Sequence, residues 1–436
     1  MQFNYQIRMQ INNNKKFIEI NDLLKKKDYK QALDLSNKLE KTSFNNIEVL
    51  KIKNHIFLKT KKWHEYRENN IKLLSLNLDR KRIKYNIGLA NFNLGNLKEA
   101  LKNFIDSLDI EPKNLNSHIS IALTNKLLGN FEEAIIHFHK AQILANENPL
   151  ITQNIIDCFN YVDLTNVDFN LVKLNNKIKN QNYNFQKIND LNLIKEILDN
   201  SEKIIINNFP NLFVSETQIF RKDSLNLNCK RHMDIFNKHN MIPEYCFGCF
   251  KIQISIKDVV NLIKLYFLFN IIQLNKNTFR KCMIELRNNV GGFYKGYVYV
   301  TSEDEAKLVS EYIKSKISNE KIEILDITIK RGCSEYYTSY PIFKKLKLNV
   351  KDKIYQKEWK LIEKNYDIEN HIFKKEEEEI FSKTLNQFNL SDFLVIKNWL
   401  IYAEYIGDYS FKKIFSSEIK SFHFKNYLKK NVKKNY

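Results

Sequence analysis

Cysteines are the residues of this chain best suited to chemistry, and five of the six lie in its second half. Cys246-Phe-Gly-Cys249 has the two-residue gap of a metal-binding knuckle, and Cys282 and Cys333 follow later in the sequence. Four thiolates suit a tetrahedral zinc ion or an iron–sulfur cluster. Such a site requires the four sulfur atoms to meet, which depends on the elements that carry them.

Alternating apolar and polar residues predict four strands and two helices around these cysteines. In chain order they are strand 249–256, helix 257–274, strand 281–287, strand 294–300, helix 302–317 and strand 322–330, with a hairpin turn at 288–292. The order βαββαβ predicts a ferredoxin-like α+β domain over 244–341, with an antiparallel sheet in the order 4-1-3-2.

This topology gathers the cysteines. The first two strands begin at the edge of the sheet where the fourth ends, so we predict that Cys246, Cys249, Cys282 and Cys333 share a zinc or iron–sulfur site there. Two other residues are possible further ligands: Cys229 and His232.

Two other interpretations of the thiols stay open. They are buried inert residues if they pack in the core, as Cys282 does if it shares a face with Ile284 and Leu286. Alternatively, Cys246 and Cys249 form a redox pair, although a CxxC of that kind normally opens a helix.

A short motif on the predicted third strand suggests a different use of the same sheet. Lys295-Gly-Tyr-Val-Tyr-Val300 resembles the core of the RNA-recognition-motif signature. In that interpretation Tyr297 and Tyr299 stack bases on the open side of the sheet, and Lys295 binds the RNA together with nearby basic residues. The alternative is that flanking segments cover this face and make the tyrosines part of the core.

The first half of the chain repeats with a period of 34 residues. Gly95 and Gly129 are 34 apart, as are Ala100 and Ala134, and Phe104 and Phe138; the earlier alanine column holds Ala32 and Tyr66. The pattern predicts helix pairs at 13–46, 47–80, 81–114 and 115–148. In the first two pairs, Lys27 and Lys61 replace the turn glycine.

Spacing and residue types resemble the tetratricopeptide repeat over about 13–148. The resemblance implies an all-α solenoid of antiparallel helix pairs whose groove holds a protein or peptide, and it implies no chemistry.

Composition excludes several classes of protein. With nine glycines the chain has no Rossmann or P-loop phosphate motif, and no HExxH zinc helix. The net charge is +20, and the lysines and arginines are clustered: 51–100 carries 12 basic against 4 acidic residues, and 251–300 carries 8 against 2. This clustering mildly favours an anionic partner. The first 14 residues lack the apolar segment of a secretion signal, so we expect a cytoplasmic protein with no membrane span.

These observations predict four regions: a helical array with capping helices at 1–200, a connecting segment at 201–243, the α+β domain at 244–341 and a helical extension at 342–436. The leading hypothesis is a protein-interaction scaffold whose second domain carries a cysteine metal site. The alternatives are an RNA-binding protein and a transferase or other modifying enzyme that acts on a peptide held in the groove.

Overall fold

The computed structural model describes residues 15–41, 46–76, 79–145, 148–181, 187–223, 225, 227–274, 278–287, 290–346, 349–370, 383–416 and 422–431. The chain divides into two compact units, residues 1–151 with 370–373, and residues 152–369 with 374–436. The α+β class predicted from the sequence is observed.

The first unit is a series of antiparallel helix pairs. In chain order its helices are α1 (15–25), α2 (Tyr29–Glu40), α3 (Asn46–Lys59), α4 (Trp63–Ser75), α5 (Arg80–Asn93), α6 (Leu97–Ile110), α7 (Leu115–Leu127) and α8 (Phe131–Leu144). Each successive pair packs on the next, and the predicted alanine column is fully buried at Ala32, Ala100 and Ala134.

The turn inside each pair has the same backbone conformation in all four repeats. Gly95 and Gly129 have φ of 77° and 80°, and Lys27 and Lys61, at the same position of the two earlier pairs, have φ of 60° and 55°. Glycine adopts this left-handed region without steric cost, whereas an L-residue does not. The repeat geometry therefore imposes the turn even where the glycine is missing.

Two histidines meet between α7 and α8. His118 Nε2 lies 3.0 Å from the carbonyl oxygen of Pro112, which can only accept, so Nε2 carries the proton. His118 Nδ1 then accepts from Nδ1–H of His137 at 3.1 Å. Burial lowers the pKa of His137 to about 4, which keeps this pair neutral at pH 7.

The second unit contains ten helices and one five-stranded sheet among its described residues. The helices are α9 (Pro149–Cys158), which begins at the boundary of the units, α10 (Asn170–Lys179), α11 (Leu191–Asn208), α12 (Cys229–His239), α13 (Val259–Ile271), α14 (Glu303–Asn319), α15 (Val350–Ile354), α16 (Lys357–Glu369), α17 (Leu390–Ile406) and α18 (Phe422–Asn431).

The strands of the sheet are β1 (Gln218–Lys222), β2 (Phe250–Ile256), β3 (Phe279–Ile284), β4 (Tyr294–Val300) and β5 (Ile324–Arg331). Their order is β1-β3-β4-β2-β5, and every neighbouring pair is antiparallel. β2 to β5 correspond to the four predicted strands: the bounds of β4 are as predicted, and those of the other three differ by up to three residues. β1, in the segment 201–243, was not predicted.

Helices α13 and α14 pack on one face of the sheet, and α13 also contacts α17. A buried network joins these layers: Arg221 on β1 donates to Asp392 on α17 at 2.8 Å, and Tyr266 on α13 donates to the same carboxylate at 2.9 Å. The Arg221 and Asp392 side chains are almost fully buried, so each charge depends on the other.

None of the helices in the described ranges is long and apolar enough to cross a bilayer.

Candidate functional site

Two backbone turns bring three of the predicted cysteines to one end of the sheet. Cys246 lies in a 3₁₀ turn just before β2, and the N–H of Cys249 donates to its carbonyl oxygen at 3.3 Å. At the exit of β5, the N–H of Gly332 donates to the carbonyl oxygen of Cys249 at 2.7 Å, and Cys333 follows directly. The CxxC turn and the turn after β5 are thus hydrogen-bonded to each other.

Cys229 joins this group and Cys282 does not. Cys229, the first residue of α12, interacts electrostatically with Cys246, Cys249 and Cys333, which also interact with one another. Cys282 pairs with Ile219 and Gly296 in the sheet, on the face covered by α13. The charged residues near it are two arginines of that face, Arg221 and Arg280. We name Cys229, Cys246, Cys249 and Cys333 the thiol group.

The thiols of this group are protonated at neutral pH. Burial raises the pKa of Cys249 to about 12 and that of Cys333 to about 11. Burial also raises the pKa of Cys246 strongly, although its Sγ lies 3.4 Å from the hydroxyl of Tyr336. Thiols of this kind are poor nucleophiles, so they offer little to a modifying enzyme.

No three His, Cys, Asp or Glu side chains of the described residues are arranged to hold a metal ion. His232, predicted as a possible ligand, is buried and stacks on Tyr245 with ring centroids 5.2 Å apart. Burial lowers the pKa of His232 to about 4. Metal binding by the cysteines stays a prediction.

The sheet face opposite α13 and α14, here called the open face, begins beside the thiol group. Lys251 on β2 is paired with Tyr299 on β4 and with Lys330 on β5. One step along, Lys281 on β3 is paired with Tyr297 on β4. The two tyrosines of β4 thus lie between lysines of β3 and β2, with Lys330 of β5 beside Lys251. Lys251 also lies close enough to interact with Cys229, Cys249 and Cys333.

The residues predicted to bind RNA lie on this open face but are largely enclosed. Tyr297 is 6% exposed and Lys295 is 1% exposed, and Tyr299 is half-buried. Lys295 donates to the buried carboxylate of Glu285 at 3.1 Å. This burial leaves little ring surface on which a base could stack.

Gly296 has a packing role that accounts for the Lys-Gly-Tyr sequence without a nucleic acid. A Cβ at this position would lie 2.3 Å from Cδ2 of Leu265 on α13. Glycine thus lets the helix approach β4 closely.

The repeat array has a pocket of its own between α3, α4 and α5, with a volume of about 290 Å³. Asparagine amides fix its floor: Asn54 and Asn86 both donate to Oδ1 of Asn70, at 2.9 and 3.1 Å. Lys51 and Arg82 contribute positive charge to its wall.

The tetratricopeptide repeat model matches residues 82–114. These residues form a tetratricopeptide repeat. They cover almost all of α5 and α6, so the family segment predicted from the 34-residue period is confirmed, and the repeat at 81–114 with it.

Solved structures of MamA are similar to part of the chain. One MamA crystal structure is 18% identical and covers 34% of this chain and 80% of its own, with a TM-score of 0.32. MamA 41-end from Desulfovibrio magneticus RS-1 is 16% identical and covers 34% of this chain and 82% of its own, also with a TM-score of 0.32. A similarity at this level carries no conclusion about function. No curated protein matches the chain.

Proposed function

We propose that this protein is an interaction scaffold whose repeat array binds an extended segment of a partner protein. The observation that carries the proposal is the tetratricopeptide repeat at 82–114, which stands in a run of helix pairs with a common turn geometry. Stacked repeats of this type present a continuous surface rather than a catalytic centre.

The pocket between α3, α4 and α5 supports this role. An extended peptide exposes backbone N–H and C=O groups, and an asparagine amide such as that of Asn86 can both donate and accept. The excess of lysine and arginine over 51–100, 12 against 4 acidic residues, favours a segment with acidic side chains.

We further propose that β2 to β5, α13 and α14 form a ferredoxin-like unit that β1 extends by one strand. The antiparallel order of the sheet supports this classification.

Peptide display on the full chain tests the scaffold function. Peptides enriched from a random library are measured for affinity by fluorescence polarisation against wild type, Asn86→Ala and Arg82→Ala. We expect each substitution to weaken binding about fivefold to tenfold, as the loss of one hydrogen bond or charged contact does.

Lys102→Ala, at an exposed position of α6, is the matched control and should bind as wild type does. Failure to enrich any peptide would count against the proposal. So would equal affinity of wild type, Asn86→Ala and Arg82→Ala for the enriched peptides.

A further inference from the structure

Three lysines of the open face lie side by side without a carboxylate partner. Lys281 donates to Oε1 of Gln218 at 3.1 Å, and Lys330 donates to Oε1 of Gln253 at 2.9 Å, both neutral acceptors. Lys251 makes no hydrogen bond or ion pair within the described part of the chain. Its ammonium lies 5.8 Å from the ring centroid of Tyr297.

Lys251 is the centre of this group and is 8% exposed. Its strand register places it directly beside Lys330. The ammonium group of Lys281 lies 5.4 Å from the centroid of the Tyr297 ring, which Lys251 also contacts. Buried like charges at this spacing are costly unless an anion offsets them.

The neighbouring carboxylates do not offset these charges. Glu285 accepts from Lys295 and from Arg287, and Glu335 accepts from Arg287 at 3.1 Å. Asp326 is exposed and interacts with Lys330 at longer range.

We propose that Lys251, Lys281 and Lys330 bind the phosphoryl group of a small ligand. A dianionic, tetrahedral group can meet several ammonium groups at once, and lysine serves as a point charge in many phosphate sites. The Lys251 Nζ is not among the fully buried polar atoms that lack a partner, so it keeps contact with solvent from which a ligand can enter. The rings of Tyr297 and Tyr299 offer an apolar wall beside it.

A small ligand fits the site better than a nucleic acid strand. Tyr297 is too enclosed to receive a base from a long polymer, whereas a single phosphate has to reach only the lysine ammonium groups. Free phosphate and a mononucleotide share this chemistry, and the experiment separates them.

The test is a thermal-shift and calorimetric titration of the full chain with inorganic phosphate, with AMP and with a uridine oligonucleotide. Lys251→Met removes the central charge, and Lys281→Met repeats the test at a second position. Lys257→Met is the matched control, since Lys257 follows the same strand but pairs with the exposed Glu323.

We expect phosphate or AMP to raise the Tm of wild type and of Lys257→Met. Lys251→Met and Lys281→Met should bind at least about tenfold more weakly, because each lacks one charge-assisted contact. Lys251→Met should also be no less stable than wild type without ligand, because it removes a positive charge that lies beside Lys330 and Lys281.

Three results would overturn the proposal. The first is no Tm shift and no heat with either phosphate or AMP. The second is binding of the oligonucleotide alone, lost in Lys251→Met, which would assign the lysines to a nucleic acid. The third is stoichiometric zinc or iron in the purified protein that is lost in Cys249→Ser, because metal-bound thiolates would then supply the missing negative charge.

Discussion

The turn lysines of the first two repeats offer a direct test of the repeat geometry. Lys27 and Lys61 are exposed and have left-handed backbone conformations, with φ of 60° and 55°. A left-handed conformation costs an L-residue roughly 1–2 kcal/mol. Glycine removes that strain but gives up about 0.5–1 kcal/mol because its unfolded chain has more freedom.

We therefore expect Lys27→Gly and Lys61→Gly each to raise the free energy of unfolding by ~0.5–1 kcal/mol. The reverse substitution, Gly95→Ala, should lower it by a similar ~0.5–1 kcal/mol, because alanine takes on the strain but has less freedom in the unfolded chain. A Cβ at Gly95 would meet no heavy atom within 4 Å, so this loss reflects backbone conformation alone.

Urea unfolding followed by circular dichroism at 222 nm measures these changes, with midpoints compared at equal slope. Lys38→Gly is the matched control, because Lys38 is exposed in the last turn of α2, where the backbone is helical and glycine costs up to ~1 kcal/mol. Opposite signs for Lys61→Gly and Lys38→Gly are expected. If both substitutions destabilise the protein equally, the turn is not left-handed and the reasoning about the repeats is wrong.

Three further predictions concern buried groups. Asp392→Asn should lower the free energy of unfolding by ~3–5 kcal/mol, because it leaves the Arg221 charge buried and unpaired, and denaturant titration would show this. The pKa of His137 is lowered in the folded state, so the unfolded chain takes up the proton first and stability should fall as the pH drops from about 6.5 towards 4. In His137→Gln that fall, measured as Tm against pH, should be smaller; an unchanged profile would contradict the assignment. Gly296→Ala should destabilise the sheet domain by ~1–3 kcal/mol through the clash with Leu265, and a wild-type Tm would contradict the close approach of α13.

The array could be predicted from the sequence because its signal recurs at a fixed period. The alanine and phenylalanine columns fix where each helix pair packs, and even Lys27 and Lys61 fall at the turn that glycine fills later. A lysine at the turn position of one repeat does not hide the 34-residue pattern, because the neighbouring repeats also carry it.

The strand β1 was missed for a physical reason. Its inward positions are Ile219 and Arg221, so the expected alternation of apolar residues is broken by a charged side chain. Arg221 is buried only because Asp392, 171 residues later in the chain, balances it. A partner that distant leaves no local signal.

The thiol group was predictable in part. Strand order alone places Cys246, Cys249 and Cys333 at one end of the sheet, as the sequence indicated. Side-chain parity assigns Cys282 to the helix-covered face, which was one of the two interpretations left open. Cys229 begins α12 and lies outside the strands, so strand order could not place it beside the other thiols.

Hydrogen–deuterium exchange with a display-selected peptide tests the scaffold function most directly. At saturating peptide we predict slower amide exchange in α3 and α5, the helices that line the array pocket, and unchanged exchange in the strands of the second unit. Protection confined to the sheet domain, with none in α3 or α5, would contradict the proposal that the repeat array holds the partner.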